Sequence, residues 1–362
     1  MTPTFDRLAA GSTIGILGGG QLGRMLAVAA AELGFDCVVY EPEADCPAGR
    51  VAAKCFTAAW DDQEALAAFA DCVDVVTFEF ENVPAPSLAF LAERTSIRPG
   101  LKSLQLTQDR LVEKQFIQGL GLETAPFAAC DSLEALEHAV SAIGVPAILK
   151  TRTLGYDGKG QFRLSQISDV AEAWAALGGR PAILEGFVPF DREVSVILAR
   201  AVDGSFAAFD VTENVHQGGI LRTSTVPAQI SEALGDQAVA AAAQIATALE
   251  HIGVLAVEFF VVGGGQLVIN EIAPRVHNSG HWTQDGCAAD QFQQHIRAVV
   301  HWPLASTKRH APQVVMTNLI GTEVEAWAEL SSQPDTFVHL YGKRAVRDGR
   351  KMGHVIKLHG LG

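Results

Sequence analysis

The sequence predicts an α/β and α+β chain in three parts: a parallel α/β domain over 1–106, a mixed domain over 107–300, and a small β-rich domain over 301–362. Three observations carry this. The first third alternates apolar runs with helical stretches, beginning with Thr13–Leu17, the turn Gly18-Gly19-Gly20-Gln21-Leu22-Gly23 and an alanine-rich helix to about Gly34. The middle holds two glycine-rich turns between strands, one inside Ile148–Leu164 and one at Gly263-Gly264-Gly265. The tail, Thr336–Gly362, alternates like short strands.

At 362 residues the chain exceeds one ordinary core, and 48% hydrophobic against 19% charged residues gives ample burial. A formal charge of -14 argues against a nucleic-acid partner, because no overall basic field would attract a phosphate backbone. Local basic sites for small anions stay open. Cys37, Cys46, Cys55, Cys72, Cys130 and Cys287 form neither a Cys-x-x-Cys pair nor a zinc spacing, and read as thiols of a reducing compartment. Met1–Ser12 lacks a basic n-region and an apolar h-region, and no apolar run could span a bilayer. The expectation is a soluble, cytoplasmic protein without a membrane partner.

In the first domain, the strand Cys37–Tyr40 ends in Glu41, which completes the pattern of a dinucleotide site: Gly-x-Gly-x-x-Gly, then an acidic residue about 20 positions on. A helix near Gln63–Ala70 and a strand Val73–Phe78 continue the alternation. A glycine turn before a helix binds any phosphate, so the cofactor stays open. Gln21, inside the turn, could hydrogen-bond a phosphate or ribose. Glu79-Phe80-Glu81-Asn82 follows the C-terminal end of a strand, where ligands bind in open α/β sheets, or is a polar loop leading to Pro84 and Pro86.

The second domain opens at Thr107-Gln108-Asp109-Arg110, with Thr107 or Asp109 as N-cap. Arg110 and Lys114 share a helix face, toward phosphates or toward water. After a helix over Glu134–Ile143 comes a strand ending at Lys150, then Gly155-Tyr156-Asp157-Gly158-Lys159-Gly160-Gln161, and a return strand. Glycines there allow a backbone to approach phosphates and adopt positive φ, with Lys150 as a fixed charge, and an ordinary hairpin would also fit. A strand at Ala182–Leu184 leads to Glu185-Gly186-Phe187-Val188, whose exposed edge could pair with a purine. Glu193 interrupts an apolar strand and could accept ribose hydroxyls, or could face solvent.

Glu258, Asn270 and Glu271 cluster at the open end of the hairpin Val257–Ile269, and their hard oxygens suit magnesium on phosphates. Strand parity sets Glu258 opposite Asn270 and points Glu271 to the other face unless a bulge intervenes. The polar run Ala273-Pro274-Arg275-Val276-His277-Asn278-Ser279-Gly280-His281 should face a cavity, with Arg275 as a planar fork for carboxylate, bicarbonate or phosphate. His277 and His281 lack a His-Glu-x-x-His pattern for zinc.

The order of these parts resembles the ATP-grasp enzymes. The strings Gly-Gly-Gly-Gln-Leu-Gly-Arg, Phe-Glu-Phe-Glu-Asn-Val, Gly-Tyr-Asp-Gly-Lys-Gly-Gln, Arg-Val-His-Asn-Ser-Gly-His and the tail Tyr-Gly-Lys…Arg-Lys-Met-Gly-His resemble the N5-carboxyaminoimidazole ribonucleotide synthetases over essentially the whole chain. The resemblance implies an ATP-grasp fold with a Rossmann-like pre-ATP-grasp domain at 1–106, an ATP-grasp domain at 107–300 with a lid at about 125–190, and a C-terminal domain at 301–362. It implies a homodimeric ligase using ATP and Mg2+ to carboxylate 5-aminoimidazole ribonucleotide with bicarbonate, through carboxyphosphate. Arg110, Lys150, the lid run, Glu185–Val188, Glu193, His216, Asn270 and Glu271 would hold ATP, and Glu258 and Glu271 the metal. Arg275 and His277 would flank bicarbonate, and Asp157 could take the amine proton. Gln21, Glu79, Tyr156, Asn278, Lys343 and Arg350 would contact the ribonucleotide. Other ATP-grasp ligases, such as a formyl-phosphate-using purine enzyme or biotin carboxylase, and an NAD-binding protein are the alternatives.

Overall fold

A computed structural model describes residues 7–155 and 160–361. Tyr156, Asp157, Gly158 and Lys159 lie outside the described residues.

The first domain is a parallel sheet of β1 (Thr13–Leu17), β2 (Asp36–Tyr40), β3 (Lys54–Phe56) and β4 (Val75–Phe78), in the order β3-β2-β1-β4. The strands are apolar because both faces are covered. Leu22, Met25 and Leu26 of the helix Gln21–Glu32 pack on one face, and Leu66, Phe69, Leu88 and Leu91 of the helices Gln63–Ala70 and Ala85–Ala92 on the other. Gly18, Glu41 and Glu79 therefore emerge together at the carboxyl ends of β1, β2 and β4.

A second sheet holds β5 (Phe127–Cys130), β6 (Ala147–Thr151), β7 (Gln161–Leu164) and β8 (Ala182–Gly186), antiparallel in the order β5-β8-β6-β7. The glycine-rich turn joins β6 to β7, as expected. β8 departs from expectation. It is an inner strand, with Glu185 paired to Phe127 on one side and Ile148 on the other, so Ala182–Gly186 offers no exposed edge to a purine.

The third sheet contains β9 (Arg192–Arg200), β10 (Phe206–Ala208), β11 (Thr212–Gln217), β12 (Ile220–Val226), β13 (Gly253–Val262), β14 (Gln266–Ala273), β15 (Gln313–Ile320), β16 (Thr336–Leu340) and β17 (Lys351–His359). Its order is β14-β13-β9-β11-β12-β15-β17-β16, with β10 on β9. The tail strands join the central sheet through β12 and β15 and build no sheet of their own. Leu234, Ala238 and Ile245 of the helix Glu232–Ala248 seal one face. On the other, the helix Gln291–Val299 packs between this sheet and the helix Gln21–Glu32. No helix among the described residues is long and apolar enough to cross a membrane.

Candidate active site

The three sheets enclose one cavity of about 810 Å³. The first domain contributes Gln21, Glu79 and Glu81, the second sheet and its turn contribute Lys150, Gly155 and Gln161, and the third sheet contributes Glu193, His216, Glu258, Asn270 and Glu271. Arg110, Arg275, His277 and Asn278 complete the expected residues on its wall.

The parity question at the second hairpin is resolved by a bulge. Pairing runs Glu258↔Glu271 and then Phe259↔Ile269, so Asn270 is the extra residue and the two carboxylates face each other. The bulge is held from outside. Asp109 caps the helix Arg110–Gly119 by accepting from Leu111 N–H, which aims the first turn at β14. Glu113 then accepts the Ile272 N–H, and Lys114 Nζ donates to the Asn270 carbonyl at 2.7 Å.

Burial and the facing Glu271 push the Glu258 carboxyl up to about 7. Partial burial acts the same way on Glu271, but Arg110, 3.1 Å away, and Lys150 outweigh it and hold that carboxyl below its ordinary value. No group of three or more His, Cys, Asp or Glu that could hold a metal gathers among the described residues. Two carboxylates with an amide beside them fit Mg2+, which keeps water and substrate phosphate in its remaining positions.

The cations around this pair are matched. Lys150 Nζ lies 2.9 Å and Lys114 Nζ 3.5 Å from Glu185, and despite burial these lysines hold the Glu185 carboxyl down at about 2. Glu185 is thus a buried anchor for Lys150. The Gly186 and Phe187 N–H groups donate to the Pro126 and Pro146 carbonyls, and Val188, like Glu185–Phe187, does not line the cavity. Gly160 also lies off the wall, with its carbonyl accepting from Thr151 N–H. Glu193 hydrogen-bonds His216; burial opposes protonation of that imidazole, and the bond to Glu193 raises its pKa.

The glycine turn of the first domain, whose ligand the sequence left open, is filled from within. Glu79 accepts from the N–H groups of Gly20 and Gly23, and Glu41 accepts from Gly19 at 2.7 Å. The protein's own carboxylates occupy the helix N-terminus where a phosphate would sit. A Cβ at Gly20 would meet Glu79 Oε1 at 2.5 Å, so the glycine is there for this internal contact. The dinucleotide reading loses its basis, and Glu79 is a brace for the turn.

Arg275 makes a forked contact with Glu81, whose Oε1 accepts from Nη2 at 3.0 Å. The run after it divides. His277 and Asn278 face the cavity, whereas Ser279 and His281 are fully buried, so only part of the run is cavity-facing. Asn278 and Asn318 exchange amide hydrogen bonds at 3.0 and 2.7 Å. Burial, then Arg275, drives the His277 pKa down to about 3. In the tail, Lys343 donates to the Lys351 carbonyl at 2.8 Å and Arg350 to the Ala345 carbonyl at 3.0 Å, and neither lines the cavity. Lys351 does. Sequence reasoning did not assign Lys351, Glu81, Glu113 or Lys114 to the site; Lys351 lay in the Arg-Lys-Met-Gly-His string, Glu81 in the run at the end of β4 and Lys114 on the face of Arg110, while Glu113 carried no signal.

Lys150 and Gly155 from one antiparallel sheet, sharing a cavity with opposed carboxylates from another, define the ATP-grasp class, and the ATP-grasp domain family matches residues 115–292. The ribonucleotide synthetase preATP-grasp domain matches 11–108, and the phosphoribosylaminoimidazole carboxylase C-terminal domain matches 314–359. The N5-carboxyaminoimidazole ribonucleotide synthase of Brucella melitensis is 52% identical over 353 residues, 97% of each chain. The chain belongs to that synthase family. A solved ADP complex of an N5-carboxyaminoimidazole ribonucleotide synthetase superposes with a TM-score of 0.94 at 43% identity, covering 97% of this chain and 93% of the other. The Aspergillus clavatus synthase, solved with ADP and 5-aminoimidazole ribonucleotide, superposes at 0.90 with 30% identity, covering 96% and 94%.

Proposed function

We propose that this protein is an ATP-dependent ligase that carboxylates 5-aminoimidazole ribonucleotide with bicarbonate, releasing ADP and phosphate and forming N5-carboxyaminoimidazole ribonucleotide for purine synthesis. The observation that supports it best is the opposed Glu258–Glu271 pair, which shares one cavity with Lys150, Arg275 and His277. Glu258 and Glu271 would hold Mg2+, whose contribution when bound is to neutralise charge on the β- and γ-phosphates.

Lys150 and Arg110 orient the phosphates, and Glu193 with His216 holds the ribose end. Arg275 and His277 hold bicarbonate in line with the γ-phosphate. The carboxyphosphate so formed hydrolyses in water, and the run Gly155–Gln161, closing over it, excludes water while the amine attacks. Asp157 takes the amine proton, and Lys351 on the cavity wall meets the substrate phosphate, with Lys343 and Arg350 turning toward it from their backbone partners when it binds. The domain limits 1–106, 107–300 and 301–362, a homodimer and a cytoplasmic setting are part of the same reading.

The test is ADP release with MgATP, adding bicarbonate and 5-aminoimidazole ribonucleotide separately and then together. Strong stimulation by the ribonucleotide, with a carboxylated product only when bicarbonate is present, supports the reading. ADP release that ignores the ribonucleotide overturns it in favour of another ATP-grasp ligase.

A further inference from the structure

Three polar side chains on adjacent strands and a fourth in the loop over them form a buried chain. Ser195 stands on β9, Asn214 on β11 and Ser224 on β12, three strands adjacent in the sheet, and Ser279 lies in the loop that covers them. Ser195, Ser224 and Ser279 have no exposed surface and Asn214 has 5%. Burying four polar groups is costly unless each is satisfied, and here each satisfies the next. Ser224 Oγ lies 2.8 Å from Asn214 Oδ1, Asn214 Nδ2 lies 2.9 Å from Ser195 Oγ, Ser195 Oγ lies 2.8 Å from Ser279 Oγ, and Ser279 Oγ lies 2.9 Å from His277 Nδ1.

This chain has a direction. An amide nitrogen only donates and an amide oxygen only accepts. Ser224 therefore donates to Asn214, Asn214 donates to Ser195, Ser195 is left to donate to Ser279, and Ser279 donates to His277 Nδ1. Turning the amide over would reverse every bond and place a hydrogen on Nδ1. The Ser279 backbone N–H, which points at the same Nδ1 from 3.4 Å, weighs against that while Asn214 is a neutral amide free to turn either way, because two hydrogens would face each other. On the other side of the ring, Nε2 faces Glu258 Oε1 at 3.7 Å, an acceptor.

We infer that Ser224, Asn214, Ser195 and Ser279 form a one-way hydrogen-bond relay that fixes His277 as the neutral Nε2–H tautomer, so that His277 serves the cavity as a hydrogen-bond donor and not as a base. The four relay residues are positioning residues. Resting on the carboxylation reading, the acceptor is an oxygen of bicarbonate or of the mixed anhydride made from it, which Arg275 approaches with a second donor. A base for the amine proton must then come from another residue.

The test is long-range proton–nitrogen correlation on histidine-labelled protein without substrates, at about pH 8, with the His277 signal identified by its loss in His277→Gln. The expected spectrum has the proton on Nε2 and a bare Nδ1. In Asn214→Asp the ionised side chain only accepts, so the relay reverses and the proton moves to Nδ1. Turnover should then fall by about tenfold, the worth of one well-placed hydrogen bond, with the KM for ATP unchanged. An Nδ1–H ring or an imidazolium in the parent protein overturns the inference, even if Asn214→Asp does not fold. An unmoved tautomer in a folded Asn214→Asp overturns it too. Because the spectrum needs no turnover, failure of the carboxylation assay leaves this test intact.

Discussion

His295 tests how the domains are held in register around the cavity. From the helix Gln291–Val299, its Nδ1 accepts the Val254 N–H at 3.0 Å, and its Nε2 lies 2.7 Å from the Thr77 hydroxyl. With Nδ1 accepting, the ring is neutral and Nε2–H donates. One side chain thus ties β13, which carries Glu258, to β4, which leads into Glu79 and Glu81. Burial, with His251 adding to it, holds the imidazole pKa down at about 3. His295→Leu removes both bonds and strands two buried polar groups; at about 1–3 kcal/mol each, the loss near neutral pH is about 2–6 kcal/mol.

The pH dependence has a definite sign. An unfolded histidine titrates near its ordinary 6.5 while the native ring stays neutral. The unfolded chain therefore binds the extra proton, and the contribution of His295 is full above 6.5 and declines as pH falls toward 3. Between about pH 7.5 and about pH 5.5, proton binding to the unfolded ring shifts the equilibrium about tenfold, worth about 1.4 kcal/mol. The other titrating groups are common to both chains, so the stability gap between parent and variant should narrow by about that amount. Urea denaturation followed by tryptophan fluorescence at the two pH values measures it. A gap that stays constant or widens would refute a neutral, doubly bonded His295.

Three further outcomes are expected. Glu113→Ala should lower turnover at limiting Mg2+ by at least about tenfold, while Glu113→Gln, which keeps an acceptor for the Ile272 N–H, should stay within about threefold; equal losses would sink the idea that Glu113 holds the bulge. Glu271→Ala should abolish turnover through loss of the metal, and Mg2+ should no longer strengthen ADP binding measured by calorimetry; full activity in that variant would remove the metal assignment. Lys343→Ala should raise the KM for the ribonucleotide about 10- to 100-fold with little change in kcat, since hydrogen bonds to charged groups carry about 1.5–3 kcal/mol; a fall confined to kcat would place Lys343 in the chemistry instead.

What could be read from the sequence was what neighbouring residues decide. The strands Thr13–Leu17 and Cys37–Tyr40 and both glycine hairpins follow from periodicity and turn chemistry within a short window. The bulge at Asn270 was foreseen only as an alternative, because it is set by Glu113 and Lys114, 159 and 156 residues from the backbone groups they hold. The glycine turn was left open for the same reason. Its sequence asks for an anion, and the anion is Glu79, 59 residues from Gly20. The tail strands were legible as strands, but their place on β12 was not, since an edge partner leaves no local trace.

The same long-range pairing explains how a chain of net charge -14 can hold a triphosphate. Three cations of the cavity already have a carboxylate: Lys150 has Glu185, Arg110 has Glu271, and Arg275 has Glu81. The pairs differ in what a ligand can do to them. Glu185 is sealed below Lys150 and can only orient it, whereas Glu271 stands 37% exposed beside Arg110. A divalent cation taking Glu271 would release Arg110 toward the phosphates, so metal and nucleotide should reinforce one another. The acidic residues therefore do more than offset the cations: Glu185 fixes Lys150 in place, and Glu271 would yield Arg110 once a metal took it.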